Sequence, residues 1–241
     1  MGLYLLIFSS LLLAIILAAA FYYLQSQQGI LTLPLTAQQS IVLITGPTAA
    51  GKTALLQRLA YGHATIKPTY TSQAINSARY VSAGQKTRQL VDVPGHPKLS
   101  GLMTTAQGLG KLSRVIFVLD ASALSKQAPA VAQRFLDTLT MVRQKNLPFE
   151  SVLVLANKSD FFTALDKQGV SKALEEAIAE IRRAMGGAVR MEAMEEERDE
   201  QALEWLAESD ERFSLAGEGI EVLCGSVLKG QGMQTLSDWL D

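Results

Sequence analysis

The chain has 241 residues, is 48% hydrophobic and carries a formal net charge of −1 at neutral pH. This near-neutral balance, without a basic stripe, argues against a direct nucleic-acid-binding role. The single cysteine, Cys224, excludes an internal disulfide and fits a reducing compartment, and the chain shows no Cys and His cluster of the kind that holds a structural metal.

An apolar run opens the chain, and residues 3–24 contain no charged side chain. As a helix rising about 1.5 Å per residue, this run spans about 33 Å, which is enough to cross the core of a bilayer. We therefore predict a transmembrane anchor over residues 1–24 and a polar linker over residues 25–39. A cleaved signal peptide is the alternative, because residues 18–20 are all alanine, but the run lacks a preceding Lys or Arg and is longer than such peptides carry.

From residue 40 onward, apolar strand patterns alternate with helical patterns, which predicts one α/β domain over residues 40–241. The alternation favours a mostly parallel sheet with helices on both faces. The predicted strands cover residues 40–45, 78–82, 88–92, 114–120, 151–156 and 219–224, and the predicted helices cover residues 52–60, 98–110, 127–145, 170–185 and 232–240.

The first strand is followed by a G-x-x-x-x-G-K-[ST] segment that opens the first helix. Glycines let this backbone turn tightly, so that successive N–H groups and the helix N-terminus face phosphate oxygens. We expect Lys52 to reach the β- and γ-phosphates and the Thr53 hydroxyl to bind Mg²⁺. The predicted phosphate-binding residues are Gly46, Pro47, Thr48, Ala49, Ala50, Gly51, Lys52 and Thr53.

Residues 67–72 form a polar, irregular segment in the position of a first switch loop. A threonine hydroxyl from this loop is expected to complete the Mg²⁺ coordination. Thr71 is the predicted ligand, and Thr69 is the alternative.

The predicted strand at residues 88–92 ends on an acidic residue, which Pro94 and Gly95 follow closely. Asp92 is expected to hold the Mg²⁺ shell, and Gly95 lets its N–H approach a γ-phosphate because it has no Cβ. Contacts that depend on the γ-phosphate make such a loop a switch. His96 stands where many GTPases carry a water-orienting glutamine, and either it positions the attacking water or it packs within the switch. No residue is identifiable as an arginine finger, so we expect slow hydrolysis.

A base-recognition motif, N-K-x-D, follows the apolar strand at residues 151–156. The Asp160 carboxylate can accept two hydrogen bonds from guanine, whereas adenine lacks that pair of donors. Asn157 is expected to bind the phosphate loop and the base edge, and the stem of Lys158 is expected to lie over the base plane. After the strand at 219–224, the N–H groups of Gly225 and Ser226 are candidate donors to the guanine O6.

An acidic segment interrupts the pattern: residues 190–212 hold ten acidic and three basic side chains, a net charge of −7. This composition favours a solvated insertion. The alternative is a docking surface for a basic partner.

The motifs predict a P-loop small-GTPase fold that binds GTP and Mg²⁺, because a P-loop ATPase would leave Asp160 without a role. Two functions remain open. One is a binding module whose GTP-bound shape recruits a partner, and the other is a membrane-anchored Arf- or Rab-like trafficking GTPase with regulated turnover. The absence of glutamine at position 96 favours the first.

This pattern resembles one family, the beta subunit of the signal recognition particle receptor. The resemblance is carried by the apolar N-terminus, residues 46–53, 68–72, 92–96, 157–160 and 224–226, and the last helix with Trp239. The chain departs at Gly225-Ser226-Val227, where related GTPases more often show a Ser-Ala-Lys-like run, and in the acidic insertion.

The resemblance implies a single-pass protein of the endoplasmic reticulum membrane, with its GTP-binding domain in the cytosol. It implies that the GTP form holds the N-terminal domain of the receptor's alpha subunit through the switch surface around Thr71 and His96. That assembly would bring ribosomes to the translocon.

Overall fold

The computed structural model describes residues 40–62, 75–82, 84–95, 111–188 and 213–241. The chain divides into two units, Met1–Pro34 and Leu35–Asp241, and every described residue lies in the second. The predicted anchor, linker, acidic insertion and helix over residues 98–110 lie outside the described residues. Among the residues that are described, no helix combines the length and hydrophobicity needed to cross a membrane.

The described part of the domain contains six strands, four helices and one 3₁₀ turn at Phe149–Ser151. In chain order they are β1 (Ser40–Thr45), α1 (Lys52–Tyr61), β2 (Asn76–Val81), β3 (Thr87–Asp92), β4 (Lys111–Asp120), α2 (Leu124–Gln144), β5 (Val152–Asn157), α3 (Lys167–Ala188), β6 (Glu221–Cys224) and α4 (Met233–Leu240).

The strands form one sheet in the order β2-β3-β1-β4-β5-β6. Four of the neighbouring pairs are parallel, and only the edge pair of β2 and β3 is antiparallel. Central strands such as β5 are buried along their whole length, because helices cover both faces of a parallel sheet. The predicted α/β fold with a mostly parallel sheet is therefore confirmed.

Side chains that alternate along the strands divide the core into two clusters. In β1, Ile41 and Leu43 join the cluster that contains residues of α2 and α3, whereas Val42 and Ile44 join the cluster that contains residues of α1 and α4. Phe135 of α2 packs edge-on against Phe117 of β4, with ring centroids 4.9 Å apart. The sheet is thus packed against helices on both faces, and this packing supports the edge at which the parallel strands end.

Candidate functional site

The strand register brings the ends of five strands to one edge of the sheet. Ile44 of β1 is paired with Asp92 of β3, and Asp120 of β4 is paired with Asn157 of β5. On the far side of β5, Ala156 is paired with Cys224. Because parallel strands end at the same edge, the loops that follow β1, β3, β4, β5 and β6 meet there.

The phosphate loop after β1 depends on two glycines. Gly46 (φ 132°) passes so close to the Val118 carbonyl of β4 that a Cβ would overlap it. Gly51 (φ 97°) forms the N-cap of α1, where a Cβ would overlap the amide of Asn157. Ala49 also has a positive φ of 62°. The loop is therefore a tight turn that packs against two other strands.

Lys52 is buried at the start of α1, and its Nζ donates a hydrogen bond to the Pro47 carbonyl at 2.7 Å. Burial lowers the pKa of Lys52 to about 8, although the nearby Asp92 carboxylate opposes this change. The ammonium group is held inside the curve of the loop, the position from which a lysine contacts nucleotide phosphates.

Asp92 and Thr53 form the polar centre next to the loop. The Thr53 hydroxyl donates to Asp92 Oδ2 at 2.7 Å, and the Asn76 amide donates to the same oxygen at 3.1 Å. Burial raises the pKa of Asp92, and these two hydrogen bonds and Lys52 act in the opposite direction. The other carboxylate oxygen, Oδ1, is buried and has no hydrogen-bond partner within the described residues.

A buried carboxylate oxygen without a partner, beside a threonine hydroxyl, fits the needs of Mg²⁺. This ion takes oxygen ligands and is usually held by one or two carboxylates together with phosphate and water. The fold brings Thr53 and Asp92, the two described residues among the predicted metal ligands, within hydrogen-bond distance of each other.

Gly95 lies directly over the phosphate loop. A Cβ at this position would lie 2.5 Å from Lys52 Nζ and 2.7 Å from the Gly46 carbonyl oxygen. Only glycine fits so close to the loop. The Gly95 backbone therefore lies close to any ligand that Lys52 binds.

Asn157 is the central residue that connects the loops. Its side-chain amide donates to the Ala50 carbonyl at 2.8 Å, and its Oδ1 accepts a hydrogen bond from the Val227 N–H at 2.9 Å. The residue is 4% exposed. Asn157 therefore connects the phosphate loop to the turn after β6.

Lys158 adopts a positive φ of 63° and forms an ion pair with Asp120 at 2.6 Å. The N–H and hydroxyl of Ser122 both donate to the other oxygen of Asp120. Partial burial opposes the charge of Asp120, but the hydrogen bonds from Lys158 and Ser122 outweigh it and lower the pKa of the carboxyl. The Lys158 side chain is thereby fixed at the edge of the site.

Asp160 faces the turn after β6, where Lys229 Nζ lies 3.2 Å from its Oδ2. A hydrogen bond from Ser226 and the approach of Lys229 lower the pKa of the Asp160 carboxyl. The carboxylate is thus held charged and oriented, which suits it to accept two hydrogen bonds from a ligand.

The N–H groups of Gly225 and Ser226 have other partners than we expected. They donate to the Ala156 and Gln231 carbonyls, each at 3.0 Å, because these bonds extend β6 and close the turn. Both N–H groups are therefore engaged by backbone carbonyls, and the Ser226 side chain forms a hydrogen bond with Asp160.

Three predicted residues, Thr71, its alternative Thr69, and His96, lie outside the described residues. Three other residues near the site were missed in the sequence: Asn76, Asp120 and Lys229. Asp120 ends an apolar strand, just as Asp92 does, and that position was a usable signal. The sequence gives no comparable signal for Asn76 and Lys229, because their roles depend on partners that only the fold brings close to them.

The sheet order, with its single antiparallel edge pair and a phosphate loop after β1, defines the class of protein: a P-loop protein of the small-GTPase type. A family model for the signal recognition particle receptor beta subunit matches residues 37–217. The chain belongs to this family.

Curated relatives agree with the family model. The chain is 31% identical over 159 residues to the signal recognition particle receptor subunit beta of Dictyostelium discoideum, covering 65% of this chain and 53% of the relative. It is 29% identical to the Saccharomyces cerevisiae subunit over 84% of each chain. The chain spans about half the length of the Dictyostelium and human relatives.

Solved structures show the same fold. The structure of the mammalian signal recognition particle receptor aligns with a TM-score of 0.64 and 24% identity over 83% of this chain and 97% of that chain. Two receptor structures from Chaetomium thermophilum align at 26% and 29% identity, with TM-scores of 0.59 and 0.56. The first is described as an SRb-GTP/SRX complex, covering 84% and 96% of the two chains, and the second as SRb-GDP-Mg, covering 85% and 98%.

Proposed function

We propose that this chain is the GTP-binding beta subunit of a signal recognition particle receptor, and that its GTP form holds the alpha subunit at the endoplasmic reticulum membrane. The observation that carries the proposal is the pair of hydrogen bonds made by Asn157, which joins the phosphate loop to the turn that supports Asp160. A site built in this way can bind both the phosphates and the base of one nucleotide.

GTP is the proposed ligand. Lys52 and the loop N–H groups bind its phosphates, Asp160 accepts hydrogen bonds from its guanine, and the Lys158 stem lies along the base. The ion pair of Lys158 with Asp120 supports this last role because it fixes the lysine at the edge of the site. The Chaetomium thermophilum relatives described with GTP and with GDP and Mg²⁺ support the same assignment.

Mg²⁺ is the proposed cofactor, held by Thr53 and Asp92 and completed by Thr71. When bound, the ion neutralises phosphate charge. Gly95 places its N–H against the γ-phosphate, and His96 orients water beside it. With no arginine finger identified in the sequence, we expect turnover to be slow, so that the GTP form persists long enough to recruit a partner.

The N-terminal domain of the receptor's alpha subunit is the proposed partner, and through it the ribosome and the translocon. A relative described as an SRb-GTP/SRX complex supports a nucleotide-bound partner interaction for this chain. The contact surface is proposed to lie around Gly95 and the switch segments with Thr71 and His96.

Residues 1–24 are proposed to anchor the chain in the membrane as a single transmembrane helix, with residues 25–39 as the linker. Their apolar composition supports this, since residues 3–24 carry no charged side chain. The GTP-binding domain then faces the cytosol, where GTP is abundant.

Base recognition is tested by Asp160→Asn in the full chain purified in detergent. We expect GDP affinity to fall by at least about tenfold and affinity for xanthosine diphosphate to rise, because an amide donates to the extra carbonyl that the carboxylate repels. Competition against a fluorescent guanine nucleotide measures both. The matched control is Asp238→Asn, since Asp238 lies on α4 and contacts Gln234. Unchanged discrimination in Asp160→Asn would remove Asp160 from the site.

Recruitment is tested by loading the full chain with GTP or GDP and measuring capture of the alpha subunit's N-terminal domain. We expect capture with GTP, weak capture with GDP, and loss of both nucleotide and partner in Lys52→Ala. Normal recruitment by Lys52→Ala would refute a nucleotide-gated tether. Rapid conversion of bound GTP to GDP would place the chain among turnover GTPases instead.

A further inference from the structure

An arginine of the phosphate-side helix reaches the turn on the base side of the site. Arg58 lies in the last turn of α1, and its Nη1 donates to the Val227 carbonyl at 2.6 Å and to the Leu228 carbonyl at 3.2 Å. These contacts join residues 169 and 170 positions apart in the chain. A planar guanidinium suits this geometry, because it carries several donors in a fixed arrangement.

The turn is shaped to receive this side chain. Gly230 has a φ of 82°, and a Cβ on it would overlap Arg58 Nη2. The Gly230 N–H donates to the Ser226 carbonyl at 2.7 Å, and the Ser226 N–H donates to the Gln231 carbonyl at 3.0 Å. The turn over residues 226–231, which we call the base turn, is therefore closed by its own backbone and pinned from outside by Arg58.

The same base turn supports the predicted guanine reader. Ser226 and Lys229 are the two side chains that hold the Asp160 carboxylate. The Val227 N–H is the group bound by Asn157. Arg58 thus binds the two carbonyls that lie between the residues supporting Asp160, without contacting Asp160 in any described interaction.

From this geometry we infer that Arg58 is a positioning residue for guanine specificity: by fixing the base turn through the Val227 and Leu228 carbonyls, it sets the orientation of Asp160. The inference rests on the proposed function, because it concerns how the same site selects its base. It adds a residue on the phosphate side of the fold to the determinants of base selection.

Discrimination between GDP and inosine diphosphate tests the inference, because inosine lacks the exocyclic amine that Asp160 accepts from guanine. The full chain in detergent is titrated with both nucleotides by competition. We expect Arg58→Met to lower the ratio of GDP to inosine diphosphate affinity by about tenfold, the size of one charge-assisted hydrogen bond. Arg58→Lys keeps a donor for the Val227 carbonyl and is expected to restore part of the ratio.

Arg79→Met is the matched control, since Arg79 lies on the edge strand β2 and donates only to the exposed Thr87 hydroxyl among the bonds described for it. An unchanged ratio in Arg58→Met overturns the inference, and so does an equal loss of affinity for both nucleotides. If Arg58→Met does not fold, Gly230→Ala displaces the guanidinium from the other side and is expected to lower the same ratio. A wild-type chain that binds GDP no better than ADP would instead refute the proposed function.

Discussion

Lys158 and Asp160 are each held by a charged partner from another part of the fold. Lys158 after β5 is paired with Asp120 at the end of β4, and Asp160 is paired with Lys229 beyond β6. Such pairs restrict the conformations of side chains that must keep one orientation in order to bind a ligand. At the residue scale, the base-binding side of the site is therefore organised by ion pairs that join the ends of β4, β5 and β6 through the loops after them.

The Asp120 pair gives a pH-dependent prediction. Because its pKa is lowered in the folded chain, Asp120 contributes stability that is present above its ordinary value of 3.8 and is lost as the pH falls through the lowered pKa. We expect Asp120→Asn to lower the unfolding midpoint at pH 7 by about 2–4 °C, corresponding to about 1 kcal/mol for a partly exposed pair. Thermal circular dichroism at pH 7 and pH 3 measures the difference.

Glu176→Gln serves as the control for this prediction. The ion pair of Glu176 with Lys172 is longer, at 3.9 Å, and both side chains are more than half exposed. Its removal should change the midpoint little at either pH. An Asp120→Asn effect as large at pH 3 as at pH 7 would show that the charge of Asp120 is not its source.

At the scale of elements, α1 is flanked by two glycines with positive φ, and only one of them lies against another element. Gly51 at the N-cap (φ 97°) has no room for a Cβ beside Asn157, whereas Gly62 at the C-cap (φ 80°) has open space. The two ends of one helix therefore compare a positive-φ glycine in open space with one whose Cβ position is occupied by a neighbour.

We expect Gly62→Ala to cost about 1–3 kcal/mol of stability, because its backbone (φ 80°, ψ −178°) is nearly restricted to glycine, and to leave nucleotide binding unchanged. Gly51→Ala adds an overlap with the Asn157 amide and should abolish nucleotide binding as well. Urea unfolding and nucleotide titration of both variants measure these effects. Similar losses of binding in the two variants would contradict the role assigned to the close approach at Gly51.

The elements that could be predicted from the sequence are those whose burial is visible in the pattern. The sequence predicted β1 correctly and β5 to within one residue. Both predictions succeeded because each strand is largely a continuous apolar run. β2 was predicted to start at residue 78 and starts at Asn76, because its first residues are polar and it is the edge strand of the sheet, paired with β3. That shift also hid the contact of Asn76 with Asp92.

At the scale of the whole molecule, the sheet is held between two packed clusters. Phe135 is fully buried in the cluster that contains α2 and α3, and Phe162 is fully exposed in the turn after β5. We expect Phe135→Ala to cost about 3–5 kcal/mol, since it leaves a cavity against Phe117. Phe162→Ala should change stability by less than about 0.5 kcal/mol. Urea unfolding of the full chain compares the two variants.

The contacts that complete the site could not be read from the sequence, because they join distant positions through backbone atoms. A pattern search finds a motif by the spacing of its side chains. Arg58 instead contacts the carbonyls of Val227 and Leu228, and any residue could supply a carbonyl there. The motifs therefore locate the site, and the folded chain shows what holds it together.

Asn157 also bears on the order in which the site is completed during synthesis. Its two partners, Ala50 and Val227, lie 107 residues before it and 70 residues after it. A nascent chain with its phosphate loop already outside the ribosome still lacks the base turn until β6 and residues 226–231 have emerged. The turn that supports Asp160 is then completed only after β6, and we expect a chain cut short before β6 to carry the phosphate loop and Asp160 without that support.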